Sequence, residues 1–213
     1  MTLKINEIFY SLQGESLDAG LACAFVRLSG CNLRCRWCDT RYAYDVGQDM
    51  ALTDIIDQVA AFGCPLVEIT GGEPLLQERT PALARALISR GFRVLVETNG
   101  TFDIGLLPAE CVKIVDIKCP GSGESGRHRP DLFDRLNPQD QVKFVMADEN
   151  DYQFARDFLP RLRAFLPAGH ILFSPVHGLL PAADLAAWIL RDRLPVRLQL
   201  QLHQIIWKGE PGK

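Results

Sequence analysis

Three cysteines within eight residues, Cys31, Cys35 and Cys38, stand at C-x3-C-x2-C spacing in the stretch Gly30-Cys31-Asn32-Leu33-Arg34-Cys35-Arg36-Trp37-Cys38-Asp39-Thr40. Thiolates this close in a loop can face one centre, as a soft-metal or iron–sulfur site requires. A structural zinc ion takes four protein ligands, and no fourth Cys or His stands at a zinc-module spacing. Three thiolates suit a [4Fe–4S] cluster held by three of its irons, the fourth left open to a small molecule. A partial zinc site and a grouping of buried thiols remain the alternatives. Cys23, Cys64 and Cys111 read as core thiols, and Cys119, just past a strand end, stays open.

Other residues of chemical interest are scattered. Gly71-Gly72-Glu73-Pro74 is either a tight turn or a place where missing side chains let backbone approach a ligand. Gly14, in Leu12-Gln13-Gly14-Glu15, allows a turn that would hold the polar ends of Gln13 and Glu15 near each other. Arg27 interrupts an apolar run four positions before Cys31, as a snorkelling edge residue or as a ligand-facing one. Glu97-Thr98-Asn99-Gly100 reads as a helix cap and turn at a strand end. His128 and His170 carry no spacing signal.

These residues need a frame that gathers them. The start, over 5–11, is strand-like, and 23–29 is a second strand. From there the pattern predicts strands over 66–70, 93–97, 112–118, 141–146, 171–174 and 196–202. Helices are predicted over 52–62 with Thr53 as N-cap, and over 76–90 closed by Gly91. Others cover 132–136, 151–165 and 182–194. Residues 41–50 read as a connector and 121–130 as a flexible loop. Alternation of strand and helix argues for a parallel sheet. Six strands from Ala24 to Phe173 plus one more are too few residues for a closed eightfold barrel. The expectation is an α/β fold: a partial (β/α)6-type barrel, open on one side, with an N-terminal strand extension and residues 1–213 in one domain. Ligands in such folds sit at the carboxyl ends of strands. There the cysteine loop, Gly71-Gly72-Glu73-Pro74, Glu97-Thr98-Asn99, Asp116, Lys118, Lys143, Ser174 and His203 collect.

A net charge of −3 without a basic run argues against bulk nucleic-acid or membrane binding, and no stretch is long and apolar enough to span a bilayer. Seven cysteines, an odd number with three crowded together, do not make a secreted disulfide framework. With no signal-peptide pattern at Met1-Thr2-Leu3-Lys4, a reducing cytoplasm is expected. An open barrel leaves sheet edges and apolar surface uncovered, which predicts a homodimer.

The cysteine spacing, Trp37 before the last cysteine, and Gly71-Gly72-Glu73-Pro74 together resemble the radical S-adenosylmethionine (SAM) superfamily. Within it, four segments together resemble the 7-carboxy-7-deazaguanine synthase family over essentially the whole chain. They are Phe9-Tyr10-Ser11-Leu12-Gln13-Gly14-Glu15-Ser16, Cys38-Asp39-Thr40, Thr70-Gly71-Gly72-Glu73-Pro74 and Gln201-Leu202-His203-Gln204-Ile205-Ile206-Trp207. A glycyl-radical activating enzyme would share the central motifs but not Gln13 and Glu15, and a non-catalytic zinc scaffold would share only the cysteines.

The resemblance implies a [4Fe–4S] cluster on Cys31, Cys35 and Cys38, with SAM beside Trp37, Cys38, Gly72, Glu73, Asn99, Lys118 and Ser174. It implies 6-carboxy-5,6,7,8-tetrahydropterin as substrate, bound by Leu12, Gln13, Gly14, Glu15, Arg27, Thr70 and His203. The product would be 7-carboxy-7-deazaguanine, with loss of ammonia. Arg27 suits the substrate carboxylate, and Thr40 matches the family's Mg2+-binding hydroxyl. An external one-electron donor of flavodoxin or ferredoxin type is implied as well. SAM would be regenerated, and residues 209–213 are candidates to fold over the substrate.

Overall fold

The structure, a computed structural model, describes residues 2–213. Nine strands form one sheet in the order β3-β1-β2-β4-β5-β6-β7-β8-β9. β1 (Thr2–Leu12) runs antiparallel to β2 (Ala22–Leu28) and to the edge strand β3 (Gln48–Ala51). From β2 onward every neighbour is parallel: β4 (Leu66–Gly71), β5 (Arg93–Thr98), β6 (Val112–Asp116), β7 (Gln141–Met146), β8 (Ile171–Pro175) and β9 (Arg197–Leu198). Six full parallel strands and a two-residue seventh make the open partial barrel that the strand–helix alternation predicts.

Strand geometry puts alternate side chains on opposite faces, and the two faces here differ in kind. Val26, Val67, Ile69, Val94, Val96, Val115, Val142 and Phe144 pack outward with Ile55 and Val59 of α1 (Leu52–Ala61). The same core takes Leu83 and Leu87 of α2 (Thr80–Ser89), Tyr152 and Leu159 of α3 (Glu149–Leu162), and Leu185 of α4 (Ala182–Arg191). The other face carries a small apolar cluster, Cys23, Phe25, Leu66, Leu95, Val112 and Ile114 with Phe9 against it. Further along the same strands that face turns polar, with Arg27, Glu68, Thr70, Glu97, Asp116 and Lys143 lining one cavity. On β2, β4, β5 and β6 the inner face thus passes from apolar to polar along the strand.

Several local expectations are corrected. Residues 41–50 are not all connector, since 48–51 pair with β1 as β3. The cap of α1 is Ala51, at the end of β3, while Thr53 Oγ1 donates to Asp54 instead. The helix expected over 76–90 begins only at Thr80, because Pro74–Leu76 is a separate 3-10 turn, and the segment expected over 132–136 is also 3-10, Leu132–Arg135. The last strand stops at Leu198. Beyond it Gln199 Nε2 donates to Ser16 O and Leu202 N to Gly14 O, which draws the chain across to the β1–β2 loop. His203 therefore sits on the short helix α5 (Leu202–Ile206), not at a strand end. No helix among the described residues is long and apolar enough to cross a membrane.

Candidate active site

A cavity of about 450 Å³ opens at the carboxyl ends of the strands. One wall is the cysteine loop after β2, and the thiols of Cys31, Cys35 and Cys38 all line the cavity. The loop is pinned by backbone: Gly30 N to Ala43 O (2.9 Å), Arg36 N to Ser122 O (3.0 Å) and Glu73 N to Gly30 O (2.8 Å). A Cβ on Gly72 would come within 2.3 Å of Gly30 O and 2.7 Å of Cys31 Cβ, so glycine is required where the loop crosses the end of β4. Burial pushes the free Cys35 thiol up to about 11, opposed by Lys118. Loading a metal centre there must release protons.

The floor is assembled from distant segments. The β1–β2 loop drops into the barrel and places Glu15 Oε2 2.6 Å from Lys143 Nζ. Lys143 also meets Glu97 Oε1 at 2.8 Å and Asp116 Oδ2 at 3.6 Å, and Lys118 Nζ lies 2.9 Å from the same Asp116 oxygen. Burial would strip the proton from Lys143, but Glu15, Glu97 and Asp116 outweigh it and hold its pKa well above the ordinary lysine value. Gln13 Nε2 donates to Glu68 through a very short contact, and Gln13 Oε1 accepts from Glu15 N at 3.1 Å. Burial, with the charge of Glu97 added, pushes Glu68 up to about 8. The second Glu15 oxygen accepts from Gln201 Nε2 at 2.9 Å. Gly14 does not take the left-handed turn; Ser16 does, at φ 67°. Glycine is needed at 14 because a Cβ would lie 2.5 Å from His203 Nδ1 as α5 passes.

The remaining wall carries Arg27, Leu12, Thr70, Thr40 and Asp39. Thr40 Oγ1 donates to Asp39 Oδ1 at 2.8 Å, and His203 Nε2 lies 3.5 Å from Asp39 Oδ2. Trp37, Asn99 and Lys118 line the cavity beside the thiols, and residues 209–213 run along its mouth. Two residues expected at the site are not brought to it. Glu73 is fully buried and braces the end of β5, accepting from Leu75 N, Thr98 Oγ1 (2.7 Å) and Asn99 N (2.7 Å). Ser174 is buried away from the cavity lining, its hydroxyl without a partner among the described residues.

The profile of the Radical SAM superfamily matches residues 25–115. The 7-carboxy-7-deazaguanine synthase of Koribacter versatilis is 45% identical, with 98% of each chain covered. That of Chlorobaculum tepidum is 47% identical over 98% of this chain and 96% of its own. This chain belongs to the 7-carboxy-7-deazaguanine synthase family. Among solved structures, QueE from Escherichia coli superposes with a TM-score of 0.79 at 23% identity, covering 95% of both chains. Streptococcus suis SuiB, solved with bound S-adenosylmethionine, gives 0.52 at 13% identity, over 84% of this chain and 47% of that one. At such identities these two matches speak for the fold alone.

Membership of this family and superfamily implies a [4Fe–4S] cluster and SAM, and the donor set fits. Three thiols, Cys31, Cys35 and Cys38, share one wall of the cavity, as a cluster held by three of its irons requires. Glu68 and Gln201 are floor residues that sequence reasoning missed, and Asp39 and Tyr42 are further lining residues it left out. One signal was available for Glu68: a charge between Val67 and Ile69 in an otherwise apolar strand. Gln201 lies in one of the four segments that carry the resemblance, which was the available signal, but no role was drawn for it there.

Proposed function

We propose that this chain performs its family's reaction, converting 6-carboxy-5,6,7,8-tetrahydropterin to 7-carboxy-7-deazaguanine with loss of ammonia. The observation that carries the proposal is the polarity of the cavity. Three thiols occupy one wall, buried carboxylates the floor and a guanidinium the remaining side. A molecule with N–H donors at one end and a carboxylate at the other matches that distribution.

Cys31, Cys35 and Cys38 would hold the cluster, and Trp37, Cys38, Gly72, Asn99 and Lys118 would contact SAM. Together, when bound, these groups supply a radical able to remove a hydrogen from the substrate; the chain's own residues position and enclose it. Each Glu15 oxygen already accepts one hydrogen bond and keeps a lone pair for a ring N–H, and the second oxygen of Glu97 adds another acceptor. Leu12, Gln13, Gly14, Thr70 and His203 complete the substrate contacts. Glu73 supports the site through Thr98 and Asn99 rather than by touching a ligand, and we assign Ser174 no role. Thr40 spends its hydrogen on Asp39, which leaves both hydroxyl lone pairs for a Mg2+ ion shared with substrate oxygens. The donor partner would be a flavodoxin or ferredoxin. A homodimer, detectable as twice the chain mass in sedimentation, would cover exposed Leu198, Ile205, Ile206 and Trp207.

The test is anaerobic reconstitution with iron and sulfide, then incubation with SAM, reductant and the tetrahydropterin. Formation of 7-carboxy-7-deazaguanine by mass spectrometry is expected; intact pterin beside cleaved SAM would refute the substrate assignment.

A further inference from the structure

Arg27 does not stand alone at the cavity wall. The antiparallel register of β1 and β2 sets Glu7 opposite Arg27, just past an irregularity between Ile5 and Glu7. Glu7 Oε1 takes the Arg27 Nε hydrogen at 2.7 Å, and the same oxygen accepts from Tyr42 OH at 2.9 Å. The guanidinium carbon lies 5.7 Å from the Phe9 ring centroid and 5.9 Å from that of Tyr42. Phe9 is itself fixed by stacking on Phe25 at 4.8 Å. The guanidinium is therefore bounded by two rings and held by one carboxylate. Among the described residues its only hydrogen bond is through Nε, so the NH1/NH2 edge is uncommitted in a side chain that lines the cavity at 16% exposure.

An unrestrained arginine carries much rotamer freedom, which a ligand must remove on binding. Anchoring Nε removes it in advance and leaves free the two-donor edge that pairs with a carboxylate. We propose that Glu7, seconded by Tyr42, is a positioning residue that aims the Arg27 fork at the substrate carboxylate and so sets selectivity for a carboxylated pterin. The inference rests on the assignment of Arg27 to that carboxylate. Electrostatics make its sign testable: a half-buried Glu7 anion repels the incoming carboxylate, so a loss confined to carboxylated ligands on its removal follows only from an orienting role.

The test uses reconstituted protein and two fluorescent ligands, 6-carboxypterin and unsubstituted pterin, whose difference isolates the carboxylate. Glu7→Ala should weaken 6-carboxypterin about tenfold and pterin less than twofold, a coupling within the range for residues in contact. Glu7→Gln, which keeps an acceptor for Nε, should retain most of the selectivity, and Tyr42→Phe should cost about twofold. The Glu7→Ala/Arg27→Ala pair should bind no more weakly than Arg27→Ala alone, since Glu7 would have nothing left to position. In turnover, Glu7→Ala should raise KM for the tetrahydropterin more than it lowers kcat. Equal losses on both ligands, or additive losses in the double variant, would reduce Glu7 to a fold-stabilising role. Tighter 6-carboxypterin binding by Glu7→Ala would mark it as a competing anion. If Arg27→Ala itself fails to discriminate the two ligands, the Arg27 assignment falls and the proposal with it, while product formation tests the reaction separately.

Discussion

Along the cysteine loop, half-exposed thiols hang from a chain that backbone hydrogen bonds hold to Ala43, Gly72-Glu73 and Ser122. At the cavity floor the reverse holds: the backbone comes from six separate segments, and side chains do the joining. Lys143 alone ties together Glu15, Glu97 and Asp116, each within 3.6 Å. The loop is thus a scaffold whose functional groups stay uncommitted. The floor is a network whose functional groups are also its structure. Emptying the first should cost function and spare the fold, whereas cutting the second should damage both.

The largest effect is expected in the loop. Cys31→Ala, Cys35→Ala or Cys38→Ala should each abolish cluster absorbance and SAM cleavage while the melting temperature of the metal-free protein shifts by no more than a few degrees. Cys23→Ser, Cys64→Ser and Cys111→Ser should keep a full iron complement. A Cys31→Ala protein with undiminished iron would remove that residue from the ligand set. The next effect is at the floor. Lys143→Met leaves buried carboxylates uncompensated, a defect worth roughly 3–5 kcal/mol. Denaturant midpoints should fall accordingly, and adding Glu97→Gln should recover part of the loss. A midpoint unchanged in Lys143→Met would mean that the floor is not a single charge network.

The same contrast explains what sequence could reveal. Cys31, Cys35 and Cys38 were legible as a group because eight consecutive residues carry them, and all three line one cavity; Thr40 drew notice only through the resemblance and lines the same cavity. The parallel sheet was legible because its strands repeat one pattern. The floor was legible only in part: Gln13 and Glu15 stood out by their motif and Glu97, Asp116 and Lys143 by their strand ends, but their joining into one network with Glu68 and Gln201 depends on register and crossover rather than on neighbourhood. Glu73 was misplaced for a related reason. A motif says that a residue is required, but only packing says whether it faces the ligand or, as here, the backbone of Asn99. The end of the last strand was overextended because Leu198 and Leu200 look like strand residues, while pairing stops where Gln199 and Leu202 bond to the β1–β2 loop.

The smallest expected effect concerns which floor carboxyl holds a proton. Burial first, then repulsion from Glu97, lifts Glu68 from 4.5 to about 8, while Gln13 donates to it and pulls the other way. The folded protein thus keeps this proton over a range in which the unfolded chain has lost it. The resulting stabilisation is fully present below about pH 4.5 and declines as pH rises toward 8, where folded Glu68 ionises too. Glu68→Gln is neutral at every pH and can still accept from Gln13. Its melting temperature relative to the parent should therefore climb between pH 5 and 8 and level off above about 8, a gap of several degrees. Pairing each variant with its parent at the same pH cancels titrations elsewhere in the chain. A difference that stays flat across that range would show Glu68 ionised in the fold, setting four carboxylates, Glu15, Glu68, Glu97 and Asp116, against the two lysines Lys118 and Lys143.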